Sequence, residues 1–294
     1  MLIAPDRSRR LAGCPRISRA LLLIAVLALP CVAHAATPPF ERLHDDWDVL
    51  LKKHVVVISG GKASQIDYAG MAADRARLKA YLESLAKIGE EKFGAWTKAE
   101  QMAFLINAYN AFMVEKVLTR YPNIKSVWDF GKLFGNPFKD RFFTLLGRPS
   151  SLDRIEHELL RQPGVYDEPR VHFAVNCASV GCPMLREEAY AAERIDTQLE
   201  DQARRFLYDR SRNRYDAAKG ALEVSKIFDW YKVDWSSGYR GIGANVRPID
   251  SLSEYFGRYS VLLADDSAQQ RQIAERKAGV HYLEYDWALN DIKR

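Results

Sequence analysis

One segment constrains the fold more than any other. Between Lys98 and Thr119 the apolar residues Phe104, Leu105, Ala108, Phe112 and Val117 recur at helical spacing. Thr97 stands where a side-chain oxygen accepts an early backbone N–H, and Glu100 three residues on completes a capping box. Tyr121-Pro122-Asn123 ends the helix, which is expected to lie at the centre of the fold. Helical periodicity also marks Phe40–Lys53, Met71–Ala86 and Ile195–Leu207, and Ser151 caps a helix running to Arg161, stopped by Pro163-Gly164. Further helices are expected near Ser251–Leu263 and on towards Lys277. Phe142–Leu145, Val171–Asn176, Ala221–Val224 and Val280–Asp286 read as strands, Gly147–Ser150 as a turn, and Ser236–Arg247, with three glycines, as a loop. Strands and helices do not alternate, so the expected class is α+β: a helix-rich single domain with a small mixed or antiparallel sheet and a cysteine loop at a strand end. There is no internal repeat, low-complexity tract or long linker to divide it.

Residues 1–35 read as a secretory signal peptide. Arg7, Arg9, Arg10, Arg16 and Arg19, against the single acid Asp6, precede the apolar run Leu21–Leu29, and Ala33-His34-Ala35 offers a cleavage site. The expected mature chain is therefore 36–294, in an extracytoplasmic location, periplasmic or secreted. Pro30 breaks the run well short of the ~20 apolar residues of a spanning helix, so no permanent membrane anchor is expected after processing. A proline before Cys31 does not suit lipidation. Lys and Arg number 43 against 38 Asp and Glu, a net charge of +5; removing five Arg and one Asp leaves 38 against 37, a net of +1. The remaining charges alternate in sign, as in Glu193–Arg214, which speaks against a nucleic-acid partner. With 48% apolar and 11% aromatic residues, the chain can build a core.

Cys14 and Cys31 leave with the signal, so the mature chain keeps only Cys177 and Cys182. Five residues apart in an exported chain, they are most simply a disulfide stapling their loop, provided their Cα atoms come within ~7 Å. The competing reading leaves Cys177 as a nucleophile, because a loop of small residues exposes a thiol and surrounds it with backbone N–H groups that favour thiolate and hold an oxyanion. His157 is the better base, since regular strand alternation would put His172 on the face opposite Cys177. Asp286, Asn107 or Asn110 would orient the base. The two asparagines, three apart on one helix face, equally suit bonding to backbone beside a buried loop. Arg161, Arg170 and Arg186 flank the cysteines and suit either clamping a carboxylate or phosphate, or ordinary salt bridges. Asp229-Trp230-Tyr231 and Tyr285-Asp286-Trp287 are expected to pack rings against the core, with an aromatic ligand wall as the alternative. A metal site of His172, Cys177 and Cys182 matches no common zinc spacing, and neither metal nor cofactor is expected.

Phe104-Leu-Ile-Asn107-Ala-Tyr109-Asn110-Ala111, Ser151-Leu-Asp153-Arg-Ile-Glu156-His157, the run from Arg170 to Pro183, Ser225-Lys-Ile-Phe-Asp229-Trp230-Tyr231 and Tyr285-Asp286-Trp287-Ala-Leu-Asn290 together resemble the domain of unknown function 547 family. The resemblance spans about 100–290 and implies where to look more than what happens there. Two functional expectations follow. One is a cysteine-dependent hydrolase or acyl transferase using Cys177, His157 and Asp286 or Asn110, with Asn107, His172, Arg170 and Arg186 around the ligand. The other is a non-catalytic cell-envelope binding module with a Cys177–Cys182 disulfide, its ligand a small molecule, a peptide or an envelope component.

Overall fold

The structure is a computed structural model that describes residues 40–131, 135–236, 241–243 and 248–292. The expected signal peptide, and part of the Ser236–Arg247 loop, lie outside the described residues. Among the described residues no helix is long and apolar enough to cross a membrane.

Helices α1 (Phe40–Leu43) and α2 (Asp45–His54) lead into an antiparallel hairpin of β1 (Val55–Ile58) and β2 (Ala63–Ile66). The β-branched run Val55-Val-Val-Ile58 supplies the strand propensity, and Ser59-Gly60-Gly61, all at positive φ, turn the chain. Next come α3 (Tyr68–Ala73), α4 (Arg75–Ala86) and α5 (Glu90–Gly94), which surround α6 (Lys98–Leu118). The capping box of α6 forms as expected: Glu100 N donates to Thr97 Oγ1 and Thr97 N to Glu100 Oε2. Every residue from Met102 to Val114 is buried. A helix buried all round is a core element, not a surface helix with one apolar stripe.

Strands β3 (Phe143–Leu145) and β4 (Arg148–Ser150) form a second hairpin. Its two-residue turn puts Leu146 (φ 53°) and Gly147 (φ 70°) in the left-handed region, which matches the twist of the flanking strands. The turn thus starts one residue earlier than the glycine alone implies, and β4 takes up most of the expected turn. Ser151 then accepts from Arg154 N, and the chain winds through Arg154–Leu160 as a π-helix whose i−5 bond runs from Arg161 N to Glu156 O, 3.0 Å. After α7 (Ile195–Leu207) a mixed three-stranded sheet is built from β5 (Arg214–Asp216), β6 (Ala221–Val224) and β7 (Gly279–Tyr282): β5 pairs antiparallel with β6, and β6 parallel with β7. Between β6 and β7 lie α8 (Ile227–Trp230), α9 (Leu252–Arg258), α10 (Ser260–Leu263) and α11 (Ser267–Ala274). The helix-rich α+β class is as expected, with three small sheets among the described residues in place of one.

One element is corrected. Val171–Asn176 is not a strand; Pro169–Phe173 is a 3-10 turn, opened by Pro169 and capped by Glu168, whose Oε1 accepts from Arg170 N. The cysteine loop therefore follows a helical turn. Residues 168–176 are all buried, so the apolar run that suggests a strand reflects cover on every side, which periodicity cannot tell from a central strand. Val171 and Ala174 belong to the core around α6, whereas Phe173 joins a second core with Phe206, Phe228 and Trp235. At about 1.5–3 kcal/mol for each large apolar side chain removed from water, this anchoring holds the entry to the cysteines far more firmly than a surface loop.

The chain's last described segment straps the cysteine loop from outside. Val180 N donates to Ala288 O, Gly181 N to Asp286 O, and Asn290 N to Ala178 O. A Cβ at Gly181 would lie 3.0 Å from both the N and the O of Asp286, so glycine is what permits this approach.

Candidate functional site

Three elements converge on one cavity of about 300 Å³. The π-helical turn contributes Asp153, Glu156 and His157, spaced i, i+3 and i+4 so that all three point the same way. The 3-10 turn and the loop after it contribute His172, Cys177 and Cys182, and the strap brings Tyr285 and Trp287. Trp128, Trp230 and Tyr231 complete an aromatic wall in which the rings of Trp230, Tyr285 and Trp287 touch at centroid separations of 4.5–5.7 Å. Trp230 is 44% exposed and Trp128 40%. Trp287 packs against the core as expected and also lines the cavity, and Trp230 stands beside it at the mouth, so the alternative of an aromatic wall holds as well.

Cys177 and Cys182 are joined by a disulfide, their Cα atoms 6.2 Å apart. The Tyr285 hydroxyl sits over both sulfurs, 3.0 Å from Cys177 Sγ and donating to Cys182 Sγ at 3.1 Å, and Ser179 Oγ lies 3.0 Å from Cys177 Sγ. Asn176 closes the loop independently of the bridge: its side chain donates to Pro183 O and accepts from Ala178 N.

Beside the disulfide runs a chain of charged groups. Asp234 accepts two hydrogen bonds from Arg161, at 2.6 and 2.9 Å, and one from His172 Nε2 at 2.7 Å. Burial opposes ionisation of Asp234, but these donors outweigh it and hold the carboxyl well below the usual carboxylate range. His172 is pushed down by its complete burial, offset only in part by Asp234 and Glu156, so the ring is neutral. Its Nε2 carries the proton given to Asp234, and Nδ1 presents a lone pair 3.7 Å from Glu156 Oε1. Tyr231 stacks on the imidazole at 3.8 Å. Burial, with the charge of Glu156 and a hydrogen bond to it, raises the hydroxyls of Tyr109 and Tyr231 far above their ordinary range.

Of the residues singled out in the sequence, the cavity brings together Cys177, His157 and His172. The imidazoles do not bond the sulfur: His157 Nδ1 accepts from Arg161 at 2.7 Å, and His172 is held by Asp234. Asn107 is bonded to the backbone N and O of Tyr190, and Asn110 to Ala174 O and Asn176 N. Both asparagines therefore brace the loops beside α6. Arg170 is tied to Glu168, Asp196 and Glu200, and Arg186 to Glu188 and Asp201. The Asp286 side chain is exposed and accepts from Ala288 N. None of these five lines the cavity. Asp153, Glu156 and Asp234 go unmarked as site groups in the sequence, and Tyr285 is marked only through the alternative of an aromatic wall. The i, i+3, i+4 spacing of Asp153, Glu156 and His157 is a signal for the first two; Asp234, 62 positions beyond His172, has none.

No curated protein and no solved structure matches the chain. A family model described as "Protein of unknown function, DUF547" matches residues 93–207, a stretch that holds α6, the π-helical turn and the cysteine loop; Ser225–Tyr231 and Tyr285–Asn290 fall beyond it. Through that stretch, with its acids, histidines and cysteine pair gathered at one cavity, the chain is similar to the domain of unknown function 547 family.

Proposed function

We propose that this protein is an extracytoplasmic binding domain that holds a small organic ligand in the disulfide-floored cavity. The observation that carries this reading is the closed Cys177–Cys182 bridge in the cavity lining, with the Tyr285 hydroxyl laid across both sulfurs. A bonded sulfur is a brace, not a nucleophile. A cavity of about 300 Å³ with an aromatic wall and a few convergent polar groups has the size and make-up of a small-molecule site. A stable bridge also agrees with the export expected from residues 1–35.

The test is intact-mass analysis of the protein from a native host under non-reducing conditions, with alkylation before and after reduction, and a fragment screen read by tryptophan fluorescence. The expected protein starts at residue 36, resists alkylation until strong reductant is added, and changes its emission with bound fragments. Quantitative alkylation of Cys177 without reductant would favour the second reading, a cysteine hydrolase or acyl transferase. One observation supports that alternative: Cys177, His157 and His172 share the cavity. In it an external thiol reductant opens the bridge, Cys177 attacks an acyl carbon to form a thioester, and His157 takes the thiol proton and gives it to the departing alcohol or amine.

A further inference from the structure

The cavity has an uneven lining. Its described residues include two carboxylates, Asp153 and Glu156, and no lysine or arginine. Nearby acids each have a cationic partner: Asp234 has Arg161, and Glu168 has Arg170. Among the described residues Asp153 and Glu156 have only imidazoles within ion-pair reach, at 3.8 Å for His157 Nε2 and Asp153 Oδ1 and at 3.7 Å for His172 Nδ1 and Glu156 Oε1. Both gaps are too long for a hydrogen bond.

His172 sharpens the point. Its side chain is 1% exposed, its single proton is given to Asp234, and its Nδ1 is buried with no hydrogen-bond partner. An unpartnered lone pair therefore faces a carboxylate oxygen. Two acceptors turned towards each other beside the cavity leave a place for a donor, since each unmet acceptor costs about 1–3 kcal/mol. The Tyr109 and Tyr231 hydroxyls do not fill it, because a carboxylate offers about four lone-pair positions. A neutral hydroxyl could donate one hydrogen, but would leave Asp153 and Glu156 without a cation in direct contact, Arg161 acting on Glu156 only from beyond ion-pair reach; an anion would add repulsion.

We propose, resting on the binding reading above, that the cavity selects a protonated organic amine, its ammonium group donating to Glu156 and His172 Nδ1 near Asp153, and its apolar body lying against Trp230, Tyr285 and Trp287. The ammonium supplies three donors and one positive charge, and aromatic faces attract the same charge. Charge-assisted hydrogen bonds are about twice as strong as neutral ones, so the preference is for the cation over a neutral molecule of the same shape.

The test is calorimetric titration of the disulfide-bonded protein with phenethylammonium, its neutral counterpart 2-phenylethanol, and the anion 3-phenylpropionate. The cation is expected to bind at least about tenfold more tightly than the alcohol, with no binding of the anion. Glu156→Gln should bring cation and alcohol within about twofold of each other. Asp153→Asn, on a more exposed side chain, should reduce the preference in the same direction and serves if the first variant does not fold. Equal binding of cation and alcohol, or tighter binding of the anion, overturns the amine inference and leaves the binding reading standing. Silence from all three probes and from the fragment screen overturns both.

Discussion

Replacing both cysteines, Cys177→Ser with Cys182→Ser, isolates what the bridge does. The two residues are five apart, so the covalent loop is short. Loop-closure entropy for about six residues is about 7 cal/mol/K, or about 2 kcal/mol at 25 °C, removed from the unfolded chain. The folded loop keeps its other ties: Asn176 to Pro183 O and Ala178 N, the strap bonds at Val180 and Gly181, and the core anchor at Phe173. The native state should therefore survive, and the loss should come from the unfolded side alone. Urea unfolding checks this with oxidised protein, reduced protein and the double variant. The last two should coincide, each about 2 kcal/mol below the first, with the dependence on urea unchanged. An unshifted midpoint refutes the reasoning. So does a loss above about 5 kcal/mol, because the bridge would then be holding the native loop together instead of restricting the unfolded chain.

Acid should weaken the fold through buried histidines. Burial lowers His44 to about 3 from an ordinary 6.5, so its contribution is fully present above pH 6.5 and is lost as the pH falls towards 3. Between pH 7 and pH 5 this amounts to about 2 kcal/mol, or roughly 4–8 °C in Tm for a domain of this size. His172, also lowered by burial, adds loss of the same sign. In His44→Asn, which keeps a partner for the Tyr81 hydroxyl, the pH dependence should shrink; a variant as acid-sensitive as the parent refutes the assignment. Asn110→Leu leaves Ala174 O and Asn176 N without their partners in the core and should cost about 2–5 kcal/mol in chemical denaturation. A loss below about 1 kcal/mol would show that Asn110 does not brace the entry to the cysteine loop.

Local chemistry alone determined the elements that depend on local chemistry. Thr97 and Glu100 announce the start of α6, Ser151 opens the π-helical turn, and the boundaries of α7 and β6 follow from periodicity and propensity. Cysteine spacing in a chain with an export-like start was enough to favour a local bridge. Three features escaped it for one physical reason: they depend on which segments cover which. Val171–Asn176 has the composition of a strand, yet it enters through the 3-10 turn Pro169–Phe173, because two cores enclose it and, among the described residues, no strand pairs with it. Trp230 has the composition of a core ring, yet the strap sets Trp287 beside it and it lies 44% exposed at the cavity mouth. The site's charge balance is the clearest case. Asp234 reaches His172 across 62 residues and accepts the hydrogen bond from Nε2, and that contact leaves Nδ1 turned towards Glu156. Sequence spacing carries no information about such a meeting, because it is set by the packing of the whole domain, whereas caps and periodicity are settled within a few turns of the chain.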